Sequence, residues 1–276
     1  MFKKTLFANT NIGDYMQVSD LMIEAVNIKS EGLVTSVKRN KNIKVTTVTL
    51  TDNKYDTPGE YITIEFKDMF DNGIRKTVVK SLKSLFSKHK LTIDSAALVV
   101  GLGNEKSTPD SLGPLVIENI IVTRHLEALG LNSSRIVSAI KPGVMGETGI
   151  ETKDIIKGVI EKIKPDFLIV IDSLKSESLK RLNKTIQITD TGIHPGSGVQ
   201  NKREKLDKET LGIPVIAIGV PTVCDVHTIV KETTKRKNIK EIPNMIVTPK
   251  DIDFVVDKMS DLLSLSINNA LYDFKL

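Results

Sequence analysis

The sequence predicts an α/β protein built on a mostly parallel sheet that helices cover on both faces. Three observations predict it. Short apolar runs without alternation recur from Ala96 onward, at 96–101, 136–140, 167–171 and 211–219. Stretches with apolar residues at helical spacing separate them. Glycines gather where the runs end, as in VVGLGN, which is how a strand turns toward a helix.

Taken in order, residues 1–18 lack periodicity and are punctuated by Asn, Gly and Asp. They read as a mobile arm or a removable segment, leaving 19–276 as one α/β domain. SDLMIEAVNI opens on the cap-type residues Ser19 and Asp20 and spaces Leu21, Ile23, Ala25 and Val26 for a short helix. Residues 43–50 and 61–66 are β-branched and partly alternating, which predicts an antiparallel strand pair. Residues 74–86 place Val78, Val79, Leu82 and Leu85 on one side of an amphipathic helix.

The strand at 96–101 leads to a helix over 110–129, with Thr108 as its N-cap and Pro109 as its first residue. A strand at 136–140, the glycine-rich loop KPGVMGETGIET and a helix over 153–163 follow. FLIVI, 167–171, is the most apolar strand and ends on Asp172. A short helix over 174–182, strands at 185–188 and 211–219, and a closing helix over 251–276 complete the pattern. The lysine-rich stretch 233–243 reads as a solvated connection.

Composition narrows the function. Aromatics are 4% with no Trp, and the net charge of +5 comes from scattered lysines, which argues against a nucleic-acid surface. The lone cysteine, Cys224, excludes an internal disulfide and a CxxC metal site, and its apolar neighbours make it a buried structural thiol. No run is long and apolar enough to cross a bilayer, and MFKKTLF lacks a following apolar segment. A soluble cytoplasmic protein is expected.

Ligands of parallel α/β sheets bind beyond the carboxyl ends of the strands. Asp110 and Asp172 both follow such ends. Alone, Asp110 reads equally as a complement to a helix dipole and Asp172 as a helix cap. As neighbours they would share a crevice, where two carboxylates cannot both ionise easily and so divide into acid and base. The loop Asp190-Thr-Gly-Ile-His194-Pro-Gly196-Ser197-Gly198 offers backbone amides for a peptide carbonyl or an oxyanion. Gly103, Asn104, Gly143 and Gly146 are further candidates for the substrate groove. His194 with Asp110 and Asp172 forms an alternative divalent-metal set. Ser111, Ser173 and Ser197 lack a GxSxG setting.

VVGLGN with STPDSLGP, KPGVMGETGIET, IDSL, TIQITDTGIHPGSGVQNKREKL, ETLGIPVIAIGVPT and IVTPKDID, in that order, resemble the germination protease family of spore-forming bacteria. The resemblance implies a fold similar to that of the hydrogenase maturation endopeptidases. It also implies an atypical aspartic endopeptidase that degrades small acid-soluble spore proteins in the spore core, with Asp110 and Asp172 catalytic. It further implies a homotetramer, and a precursor cut before a segment that corresponds here to SDLMIEA, between Val18 and Ser19. Val18 stands where an arginine is common in that family, and NEKSTPDSL departs from its usual NxxVTPDAL. A paralogue that binds these substrates without cutting them is the non-enzymatic alternative.

Overall fold

The computed structural model describes residues 20–25, 33–51, 58–131, 134–196, 204–234 and 243–272. A single helical turn, α1 (Met22–Ala25), precedes an antiparallel meander of β1 (Leu33–Arg39), β2 (Ile43–Leu50) and β3 (Gly59–Phe66). Helix α2 (Asn72–Lys88) starts where the Asp71 carboxylate accepts the Gly73 N–H, and it leads into β4 (Ala97–Gly101). Between β4 and β5 (Val137–Ile140) lie a 3-10 turn (Thr108–Asp110) and helices α3 (Leu112–Glu118) and α4 (Arg124–Ala128). Then come α5 (Met145–Thr148), α6 (Thr152–Ile163), β6 (Phe167–Ser176) and β7 (Thr185–Thr189). The chain continues through α7 (Lys208–Leu211), β8 (Val215–Asp225), α8 (Val226–Thr234), β9 (Ile246–Val247) and α9 (Ile252–Tyr272).

The described strands form one nine-stranded sheet in the order β1-β2-β3-β7-β8-β6-β4-β5, with β9 on the end of β8. The sheet is mixed rather than mostly parallel. Strands β8, β6, β4 and β5 are parallel neighbours, but β7 runs antiparallel to both β3 and β8, and the meander adds further antiparallel pairs.

The cause lies after Ile171. Residues 172–176 stay extended and continue to pair with β8 as far as Cys224, through a bulge between Leu174 and Lys175. The helix expected over 174–182 therefore does not form. A tight return, in which Ser176 Oγ accepts the Ser178 N–H, sends the chain back as β7. So short a connection cannot make a parallel crossover.

The helix expected over 110–129 is also broken. The β-branched run Ile120-Ile121-Val122-Thr123 disfavours continuation. Asn268 of α9 takes its place as partner, accepting from Ile121 N–H and donating to Asn119 O. The expected strand pair is present as β2 and β3. The additional strand β1 is exposed along 35–39, so no inward apolar alternation marks it.

Helices cover both faces, as the apolar runs imply. Ala97, Val99, Phe167, Ile169 and Ile171 face α2, α3 and α9 in the larger core. The alternate residues Leu98, Val100, Leu168 and Val170 pack with Ile156 and Ile160 of α6 and Leu211 of α7. This two-sided burial is why these strands read as unbroken apolar runs. The chain leaves β4 for β5 on one side and leaves β6 toward β8 on the other, so β4 and β6 form a switch point with a crevice beyond their carboxyl ends.

A candidate active-site cleft

The crevice is built first by backbone. Beyond β4, Leu102 N–H still donates to Ile171 O at 2.8 Å, so the chain leaving β4 remains stitched to β6. Gly113 of α3 has no room for a side chain, because a Cβ would stand 2.2 Å from Leu102 O, and this lets α3 abut the strand end. Gly103 turns at φ +116°, a conformation that favours glycine.

Asp110 sits on the 3-10 turn that follows, not in the first turn of a long helix as the sequence suggests. Ser107, rather than Thr108, precedes the turn, and Pro109 lies within it. Asp110 N–H donates to Ser107 O at 2.7 Å, and its Oδ2 accepts the Asn104 N–H at 2.9 Å. Asn104 thus meets the aspartate through its backbone, while its side-chain Oδ1 accepts the Lys106 N–H.

Asp172 lies within β6, not at its end. It is buried, pairs in register with Gly219 of β8, and its Oδ1 accepts the Ser173 N–H at 2.9 Å. By the two-residue alternation it shares a side with Leu168 and Val170, toward α6.

Asp110 and Asp172 line one cleft of about 340 Å³. Of the other residues singled out in the sequence, Gly103, Gly143 and Gly196 also line it. Gly146 is exposed on α5, and His194 is exposed outside the lining. Asp190 serves a different place. Its Oδ1 accepts the Glu60 N–H at 2.7 Å, and its Oδ2 meets Lys88 Nζ at 2.6 Å and His89 Nε2 at 2.9 Å. Burial would raise its pKa, but these three partners outweigh burial and hold the carboxyl below the usual carboxylate range. Ser197, Gly198, Val18 and Ser19 lie outside the described residues.

The sequence alone does not single out several polar lining residues, among them Asp20, Lys175, Thr222 and Thr248, as parts of the site. Asp20 Oδ2 accepts the Lys175 N–H at 2.8 Å, so the segment that starts with Asp20 forms part of the wall. The buried Lys175 ammonium is paired with Asp225 at 3.0 Å. A lysine in the middle of an otherwise apolar and small-residue stretch, IDSLKS, was the signal available for it. Cys224 is buried in β8, and burial pushes its thiol up, away from reactivity. His125 and His227 are on exposed helix positions.

Among the described residues, no group of three or more His, Cys, Asp or Glu side chains could hold a metal ion, so Asp110, Asp172 and His194 are not gathered into one set. No described helix is long and apolar enough to cross a membrane. What the cleft brings together is a pair of carboxylates on separate segments, walled in part by the glycine-containing loops at Gly103, Gly143 and Gly196. Carboxylates so placed can accept and donate protons around a bound carbonyl.

The family model described as germination protease matches residues 14–236. A germination protease of Bacillus cereus (strain ATCC 10987 / NRS 248) is 45% identical, covering 95% of each chain. One from Bacillus thuringiensis subsp. konkukian (strain 97-27) is 44% identical with the same coverage. One from Geobacillus sp. (strain WCH70) is 38% identical over 88% of this chain and 86% of its own.

Proposed function

Because this chain belongs to the germination protease family, and is therefore a peptide-bond hydrolase, we propose that it is the endopeptidase that begins the degradation of small acid-soluble spore proteins at germination. Asp110 and Asp172 are the catalytic pair. The observation that carries this reading is that both open on one cleft at the switch point of the sheet.

Water held between the two carboxyl groups attacks the peptide carbonyl. One carboxylate takes the proton from that water, and the other, protonated, donates to the carbonyl oxygen. Collapse of the tetrahedral intermediate passes a proton to the leaving amine. The loops at Gly143 and Gly196, which line the cleft, shape the groove for an extended substrate backbone.

The protein is made as a precursor and becomes active when residues 1–18 are removed. Asp20, the second residue beyond that cut, already forms part of the cleft wall, which supports this reading. The active form is a homotetramer in the spore core. Exposed large apolar side chains, among them Phe70 and Phe254 with ring centroids 6.2 Å apart, support an associating surface.

The test incubates protein lacking residues 1–18 with a purified small acid-soluble spore protein, alongside Asp110→Asn and Asp172→Asn. Cleavage by the parent chain is expected, with a loss of at least about 1,000-fold in either variant. Full activity in either variant overturns the pair, and loss of parent activity on exhaustive chelation overturns the metal-free chemistry. Binding without cleavage by the parent chain would make it a substrate-binding paralogue.

A further inference from the structure

Strand β8 touches both halves of the cleft. Gly219 pairs with Asp172, and three residues on, Thr222 reaches the opposite wall. Thr222 is buried, and its Oγ1 donates to Pro109 O at 2.7 Å across 113 positions of chain. Pro109 O belongs to the peptide group that leads into Asp110. Thr222 is itself held, since its carbonyl accepts the Thr248 hydroxyl at 2.8 Å just beyond β9. On its other side the Asp110 peptide abuts Gly103, where a Cβ would stand 1.9 Å from Asp110 O.

We propose that Thr222 is a positioning residue for Asp110: its hydroxyl fixes the 3-10 turn to the same strand that carries the register partner of Asp172, and so sets one aspartate against the other. This rests on the catalytic roles proposed above for Asp110 and Asp172. A turn of three residues closed by few internal hydrogen bonds has little rigidity of its own. A side-chain bond from a central strand supplies what the turn lacks. Thr222 touches the turn's backbone and not the reacting atoms. Losing its hydroxyl displaces Asp110 without removing any reacting group, and displacements of this kind weigh on turnover more than on substrate binding.

The experiment compares Thr222→Val, which keeps shape and loses the donor, with Thr222→Ser, which keeps the donor. Spore-protein cleavage is followed together with the carboxyl ¹³C titration of Asp110 in labelled protein. T222V is expected to lower kcat by about 10- to 100-fold with KM changed less than about threefold, and to move the Asp110 titration. T222S is expected to restore both. If T222V does not fold, Thr222→Ala is the donor-less variant. Parent-like kcat in the folded donor-less variant, a change confined to KM, or T222S as impaired as T222V would each overturn the proposal. The titration reads Asp110 without turnover. An unmoved titration overturns the positioning role even where the parent chain cleaves nothing, whereas a moved titration with an inactive parent faults the proposed activity alone.

Discussion

A methyl group at Gly103 would stand 1.9 Å from the carbonyl oxygen of Asp110, so the turn after β4 and the turn bearing the aspartate are fitted backbone to backbone. Gly103→Ala meets two obstacles, the collision with a backbone atom that cannot swing away and the φ of +116°. Together they are expected to cost about 3 kcal/mol or more. Chemical denaturation should show that loss. The surviving folded fraction should cleave spore protein at least about tenfold more slowly, because Asp110 has moved. Parent-like stability in G103A would count against the tight fit.

Gln187 ties the first described residues to the sheet. Its Oε1 accepts the Met22 N–H at 2.8 Å, and its Nε2 donates to Asp20 O at 2.9 Å. Glu24 adds bonds from Ser176 Oγ and Glu177 N–H. Gln187→Ala leaves two backbone groups of this segment without their partner, at a cost of about 2 kcal/mol. Limited proteolysis should then cut faster near residues 20–25 than in the parent chain, while the rest of the fold keeps its protection. Equal cutting rates would show that Gln187 does not hold the segment.

Two parts of the sheet are legible in the sequence: the alternating pair β2 and β3, and the strands buried on both faces. Val99, Val170 and Ile216 are apolar for the same reason that their neighbours are, so the runs announce themselves. Strand β1 carries Thr35, Ser36, Lys38 and Arg39 on an exposed edge and announces nothing. At Asp172 the apolar signal ends before the strand does, because residues that line a cleft need not be apolar even when the backbone stays in the sheet. Asp110, Asp172, Gly103 and Gly143 were legible because each follows or ends an apolar run. Thr222 was not, and Lys175 showed only as a lysine within IDSLKS. Their importance comes from partners that only the fold brings near, Pro109 for one and Asp225 for the other.

Gly219, beside Asp172, has Leu174 against its open face: a Cβ there would lie 2.3 Å from Leu174 Cδ1. Leu174 is buried at the bulge of β6, so it has little room to yield. Gly219→Ala is expected to destabilise by about 2 kcal/mol, and Leu174→Ala by a similar amount through the cavity it leaves. The double variant should be more stable than the sum of the two changes by about 1 kcal/mol or more, since each relieves the other. Additive losses in a denaturation cycle would refute the contact.

Asp190 and His89, 101 positions apart, join the end of β7 to the end of α2, with Lys88 and the Glu60 N–H on the same carboxylate. Asp190→Asn keeps the shape and an acceptor for Glu60 but removes the charge that Lys88 requires. A loss of about 1 to 2 kcal/mol at pH 7 is expected. The folded pKa of Asp190 lies below its ordinary value, so the stabilisation is complete above the unfolded carboxylate value of about 3.9 and is lost as the pH falls through the lower folded value. The stability gap between parent and variant should therefore hold from pH 7 to about 5 and close as the pH falls through the lower folded value. A gap that persists unchanged into acid would mean that the carboxylate charge contributes nothing to the clasp. Cleavage of spore protein at pH 7 should be altered far less than in variants of the cleft, because Asp190 is not among the residues that line it.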